Sequence, residues 1–193
     1  MWSTGVCGFG GHWSARVLVP PATEPITPTE LLERARLKGS DAEGNPLLVD
    51  YIAAARGQVE QDTGCALLTQ TIAVGFDGMP VRLPWPPLQA IVRVTAIDAD
   101  GLSYEVDPLT YQVDTLSMPA RVFWARAPGP VTLELLVGWT PATLPPPLKQ
   151  SVGLLASHYL TYGRDRVAVG AGVAEMPAGY AEAIAPYTQV VLI

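Results

Sequence analysis

The chain has 193 residues, enough for one domain with a sizeable core and additional arms. Its net charge of −6 argues against a nucleic-acid-binding face. No apolar run reaches the roughly 18 residues of a membrane span, and Met1 to His12 lack the basic-then-apolar order of a signal peptide.

Residues 1–25 read as an extended N-terminal arm. Trp2, Phe9 and Trp13 stand among Gly5, Gly8, Gly10 and Gly11 with no helical or strand period, and Pro20, Pro21 and Pro25 follow as a linker. Such an arm needs a surface to lie on: its own β-domain or, the expectation favoured here, a neighbouring subunit. Cys7 and Cys65 are far apart and show no metal-ligand spacing, so they read as thiols of a reducing compartment.

Residues 26–64 predict two helices. Thr27-Pro-Thr-Glu30 is a capping box with Pro28 in the first helical position. That helix runs to about Leu37 and stops at Gly39. The second starts near Pro46 and ends at Gly64, with Leu48, Ile52, Ala55 and Val59 on one stripe. Glu43, Asp50, Glu60 and Asp62 read as solvated positions.

Residues 66–139 predict a β-rich insertion. Ile72, Val74 and Phe76 alternate, Asp77-Gly78 and Asp98-Ala-Asp-Gly101 are turn signals, and Leu88 to Ile97 is long and β-branched. Val81 to Leu83, Tyr104 to Val106, Tyr111 to Val113, Arg121 to Trp124 and Val131 to Val137 complete six or seven short strands, with Tyr104–Val106 pairing Tyr111–Val113. The pattern suggests an antiparallel sandwich or small barrel. Trp85, Trp124 and Trp139 read as core or edge packing rather than a ligand cage.

The late helix spans about 147–163. Leu148, Val152, Leu155, Tyr159 and Tyr162 form its stripe, which should pack on the second helix. Gly153 and Ser157 on the opposite face admit a second neighbour, either within the chain or another copy. Arg164 and Arg166 suit the helix end or an inter-subunit pair. A short helix follows at about 177–186. The C-terminal tail 188–193 ends in Val190, Val191, Leu192 and Ile193, which left in water are an aggregation hazard.

The sequence carries few motifs of known chemistry. Gly8-Phe-Gly-Gly11 is no phosphate loop, and no Gly-x-Ser-x-Gly elbow exists. The two histidines, His12 and His158, do not suggest a metal site, and His158 reads as a surface or interface residue. Asp98 and Asp100 read as a solvated turn, with a weak calcium site as the alternative.

Four blocks, in order, resemble the head-to-tail connector (adaptor) proteins of long-tailed bacteriophages and of phage-derived gene transfer agents. They are Tyr51 through Thr71, Val81 through Val94, Tyr111-Gln-Val-Asp114 with Pro119-Ala-Arg-Val122, and Leu144 through Arg164 followed by Val169 through Pro177. The resemblance covers most of residues 27–187. Residues 1–25 are an addition to the family pattern.

The resemblance implies an α+β fold: a small helical bundle of three to four helices with an antiparallel β-rich insertion and extended arms. It implies no catalytic residue, cofactor or metal. The expected partners are other copies of the chain in a ring of twelve, the portal protein above, and a stopper or tail-terminator protein below. Genomic DNA passes through the lumen without specific binding, and no membrane is involved. The particle neck, assembled in the host bacterial cytoplasm, is the expected location. Val190, Val191, Leu192 and Ile193 are the expected portal-docking tail. Gly153, Ser157, Arg164, Arg166, Trp2, Phe9 and Trp13 are the candidate subunit contacts. The alternatives are a tail-completion or stopper protein of the neck, an unrelated β-sandwich ligand-binding module, and a hydrolase using Asp98 and Asp100.

Overall fold

In the computed structural model, the residues described are 3–7, 11–37, 42–78, 80–126, 129–162, 177 and 179–188, with backbone alone at 3–7 and 11–13. They form two compact units. One draws on Met1–Ala22 and Gly64–Trp139, the other on Thr23–Thr63 and Thr140–Thr188.

The β unit is built on a six-stranded antiparallel sheet. Its strands are β1 (Ser3–Cys7), β2 (Gly11–Val19), β3 (Gln70–Phe76), β4 (Leu88–Ile97), β5 (Ser103–Glu105) and β8 (Val131–Val137), in the order β1-β2-β3-β8-β4-β5. The remaining two, β6 (Tyr111–Asp114) and β7 (Arg121–Trp124), make a separate ribbon. Period-two alternation sets the buried face. Ile72, Val74 and Phe76 of β3 and Val131, Leu133, Leu135 and Val137 of β8 all point into one core. Val122 of the ribbon, Leu83 and Val106 close that core from the other side, with Trp85, Tyr111 and Trp124 packed at its margin. The result is two unequal layers, a large sheet under a small ribbon.

Three strand expectations change. Residues 3–7 and 11–19 belong to the sheet, because β1 pairs with β2 from Ser3↔Ala15 through Cys7↔Gly11 and β2 pairs with β3 from Trp13↔Phe76 through Val17↔Ile72. The described part of the expected arm up to Val19 therefore lies on its own chain and is not an extended arm. Ser103–Glu105 pairs with β4, and Tyr111–Asp114 with β7, in place of the expected mutual pairing. The reason is turn chemistry. Asp98 accepts from the Asp100 and Leu102 amides and closes β4 onto β5, while Asp114 accepts from the Leu116 and Ser117 amides and closes β6 onto β7. Finally, Val81–Leu83 forms only a single bridge, Arg82↔Arg121.

Gly138 shows why one glycine is required. Its φ is +96°, and a Cβ there would lie 2.1 Å from the Leu68 carbonyl oxygen. No other residue allows the two backbones to approach so closely at that angle.

The helical unit contains α1 (Pro28–Arg34), α2 (Pro46–Thr63), α3 (Pro146–Tyr162) and α4 (Tyr180–Ile184). The capping box forms as read: the Glu30 amide donates to Thr27 Oγ1 at 3.1 Å, and the Thr27 amide to Glu30 Oε2 at 2.9 Å. α1 ends three residues before the expected Leu37, since Arg36 takes a left-handed φ of +58°. α2 has the bounds expected, with Gly64 at φ +70° beyond it. Its stripe Leu48, Ile52, Ala55 and Val59 is buried, and α2 packs on α3. Leu148, Val152 and Leu155 of α3 are buried as read, but Tyr162 at the end of the stripe is 52% exposed.

Candidate functional site

α3 contacts α1, α2 and α4. That position explains why Ser151, Gly153 and Ala156 are buried together with the apolar stripe. Small side chains let three helices approach one. A Cβ on Gly153 would meet Arg34 Cδ, Nε and Cζ at 3.0 Å, so the second neighbour at this point is α1 of the same chain. Gly153 is thus closed to another copy by Arg34. Ser157 lies one turn further on, half-buried, and its Oγ is buried with no hydrogen-bond partner among the described residues.

Three polar links brace the helical unit, two of them fastening its short helices, and the sequence reading passed over each. Arg56 Nε donates to Glu24 Oε2 at 2.8 Å and Nη1 to Glu60 Oε2 at 2.9 Å. Burial pulls the Arg56 pKa down, but the two carboxylates outweigh it, and the guanidinium is held charged beyond its usual range. Tyr180 Oη donates to Asp62 Oδ2 at 2.7 Å, tying α4 to α2. Burial, then this carboxylate, raises the phenol pKa well above the ordinary tyrosine value. Lys149 Nζ donates to Glu30 Oε1 at 2.9 Å, tying α3 to α1. Glu60 and Asp62 are therefore structural partners rather than solvated positions. Glu43 also has a partner, the Thr29 hydroxyl at 2.7 Å. An acidic residue four from Arg56 was the available signal for one of these links. Nothing local in sequence marks the others.

The remaining candidates divide by place. Trp2, Phe9, Arg164, Arg166 and the tail Val190, Val191, Leu192 and Ile193 lie outside the described residues, as does the Trp13 side chain. His158 is half-buried beside the Tyr162 ring, with centroids 5.0 Å apart. The Asp98–Asp100 turn is exposed, with Asp98 Oδ1 committed to backbone amides. Among the described residues, no group of three or more His, Cys, Asp or Glu side chains is placed to hold a metal ion. No described helix is long and apolar enough to cross a membrane. Trp124 Nε1 donates to the Pro80 carbonyl at 2.8 Å, so this tryptophan packs at the core margin with its polar edge satisfied.

The β unit also carries an exposed surface that the sequence did not single out. Arg82 and Arg121 are bridge partners, and both are exposed. The Leu83 amide donates to the Ala120 carbonyl and the Val122 amide to the Val81 carbonyl. This places the arginines in the close, non-hydrogen-bonded kind of pair, with Cα atoms about 4.5 Å apart. Asp114 stands opposite Arg121 on the other side. Its carboxyl pKa is lowered by the Ser117 hydroxyl, the Leu116 and Ser117 amides and Arg121.

No family model matches the chain, and no curated protein matches it. Solved structures do. A chain in the virion of a native gene transfer agent particle is 21% identical with a TM-score of 0.70, covering 93% of this chain and 97% of that one. A chain from the neck of an empty particle of this kind, computed with C6 symmetry, is 20% identical at 0.73 with the same coverage. One from the neck of a native particle, computed with C12 symmetry, is 22% identical at 0.64, covering 91% and 97%. At this identity the likeness establishes a shared fold, α+β with a mostly antiparallel sheet, across nearly the whole length of each chain.

Proposed function

We propose that the chain is a non-enzymatic structural protein of the neck of a phage-like particle: a head-to-tail adaptor that closes into a ring beneath the portal and leaves a channel for DNA. The observation that carries this reading is the near-complete mutual coverage with chains from gene transfer agent particles, two of them from necks. A shared module would match a part. Here the match spans nearly the whole of each chain.

The chemistry supports it. Among the described residues, Glu30, Arg56, Asp114 and Tyr180 have shifted pKa values and are committed to capping, pairing and turn closure, and these four form no nucleophile–base set. The net charge of −6 suits a channel wall that must let DNA slide, since lysine and arginine facing the lumen would hold phosphate. A ring is a closed head-to-tail assembly in which one surface of each subunit meets a different surface of the next. Twelve copies fit the neck computed with C12 symmetry.

In this reading the tail Val190–Ile193 docks on the portal by strand addition. Each tail binds weakly, and a ring of tails binds tightly through effective concentration. A stopper one layer further from the portal is the second reading, and a match to necks computed with either symmetry is compatible with it.

The test is to mix the purified chain with portal, measure mass by size-exclusion chromatography with light scattering, and image the product by negative stain. Twelvefold rings seated on portal support the adaptor. Rings that bind only tail-side proteins support the stopper. A monomer at high concentration, with portal present, overturns both. Truncation at Thr188 should abolish portal capture while leaving the melting temperature of the isolated chain unchanged.

A further inference from the structure

We infer that two surfaces of the β unit, at its opposite ends, are the two halves of a head-to-tail contact between copies of this chain. The inference rests on the ring reading above and names the surfaces that close the ring.

The first surface is the turn end of the β6–β7 ribbon. Leu116 is 97% exposed there, and Met118 beside it is nearly half exposed. Arg121, with Arg82 as its cross-strand neighbour, borders them. Like charges directly opposite in a ladder repel. Asp114 offsets one of the two, yet its oxygens already accept from the Leu116 and Ser117 amides and the Ser117 hydroxyl. The patch therefore combines apolar side chains with positive charge that the β unit does not fully neutralise.

The second surface is the β4–β5 turn. Leu102 is 67% exposed, with Ile97 and Tyr104 exposed on either side of it. Asp98 and Asp100 supply negative charge. Asp98 holds the turn through two amides, which leaves Asp100 projecting from an ordered loop.

The two surfaces cannot meet within one chain. The β4–β5 turn lies at the end of the sheet where β3 also turns, since Ala96 and Phe76 both pair with Val131. Trp124 is bonded to Pro80 just past that β3 turn, so it marks the same end of the ribbon. β6 and β7 pair Tyr111 with Trp124 at that end, and Asp114 with Arg121 toward the other. Leu116 and Met118 lie beyond Asp114 and Arg121, at the far end of the unit.

Both patches are apolar at the centre with charge at the border, and the charges are of opposite sign. The occupant that satisfies both at once is a second copy of the chain, presenting its acidic turn to the basic ribbon end. Two different surfaces at opposite ends give a contact that propagates, which is what a ring requires. Complementary charge fixes its register and speeds encounter.

Arg82→Glu and Asp100→Lys test the contact with portal present. Arg82→Glu places an acid beside Arg121, and the Asp100 side chain is exposed, so both variants should keep the wild-type melting temperature. Each alone should weaken ring formation by on the order of tenfold or more. An equal mixture should recover assembly. In a ring that alternates the two variants, every junction joins either two native positions or two substituted ones, and the substituted pair is again of opposite charge. Recovery on mixing supports the contact. Single variants that assemble like wild type overturn it while the ring reading stands, and a mixture as defective as its parts also overturns it. A wild-type chain that never assembles removes the ring reading and the contact with it.

Discussion

The two units of this chain are held together by different means. In the β unit the sheet satisfies its own backbone, so side chains only have to fill one apolar core, and Val74, Leu133, Leu135 and Val137 do so with no exposed surface at all. The salt bridge found on that sheet, Arg93 to Glu134, is long at 3.9 Å and partly exposed. The helical unit includes two helices too short to persist alone, α1 with seven residues and α4 with five. Each is tied to a longer helix by a charged hydrogen bond, Glu30–Lys149 and Asp62–Tyr180, in addition to its buried residues. Where the backbone cannot fix an element, polar side chains supply the missing constraint. All five tryptophans lie in the segments of the β unit, so tryptophan fluorescence follows that unit and the helical signal near 222 nm follows the other.

The largest effect should come from the sheet core. Leu133→Ala removes a side chain buried between strands and should destabilise the β unit by about 2–5 kcal/mol. Denaturant unfolding read by fluorescence measures it. If the two units are energetically separate, the helical transition stays near its wild-type midpoint. Coincident shifts in both signals would mean that the units unfold as one.

Arg56→Met comes next. It leaves Glu24 and Glu60, both mostly buried, without their shared cation. Removing one partner of a fully buried pair costs about 3–5 kcal/mol, and the residual solvent contact here reduces that to about 1–3. The helical signal should shift and the fluorescence transition should not. A variant as stable as wild type would show that apolar packing alone holds this unit.

What the sequence revealed follows the same division. Elements fixed by local rules were legible: the Thr27 capping box, both bounds of α2, the alternation in β3, the span of β8, and the turn at Asp98. What depended on distant residues was not. The pairing of β2 with β3 joins segments more than fifty residues apart, and glycines around Trp13 hid the strand period. The same limit applies to the small-residue face of α3. Gly153 and Ser157 signalled a close neighbour, but spacing on one helix cannot say whether that neighbour is α1 or another copy. Of the proposed contact, only the Asp98–Gly101 turn was visible, because the Arg82–Arg121 bridge exists only once the ribbon has folded.

Tyr180→Phe should cost about 1–2 kcal/mol, since it removes one hydrogen bond to a carboxylate without changing shape. It also carries a pH signature. The folded phenol pKa lies above the unfolded one, so the folded state keeps a proton that the unfolded state loses above pH of about 10. The stability contributed by Tyr180 is complete below that pH and lost as pH rises further. The phenylalanine variant should be less stable at pH 7 and lose less between pH of about 9 and 11. An unchanged alkaline slope would mean that other groups set it, and that α4 is held by its apolar face.

The smallest expected effect is at the start of α1, where the sign of the pH dependence reverses. Glu30 accepts from the Thr27 amide and from Lys149, and both lower its pKa below the ordinary glutamate value. A depressed folded pKa means that the unfolded state binds the proton first as pH falls. The stability contributed by Glu30 is therefore present above its unfolded pKa, about 4.3, and is lost as pH drops through the lower folded value. Its carboxylate is partly exposed, so the ion pair with Lys149 adds little, and the cap is the larger part. Thr27→Ala should cost about 0.5–1 kcal/mol at pH 7. Glu30→Gln keeps a group able to accept from the Thr27 amide but cannot pair with Lys149, so it should cost less than Thr27→Ala. The glutamine variant should also flatten the acid limb of the helical transition between pH of about 5 and 3. An acid limb unchanged by Glu30→Gln would mean that the closed capping box does not determine the acid sensitivity of α1.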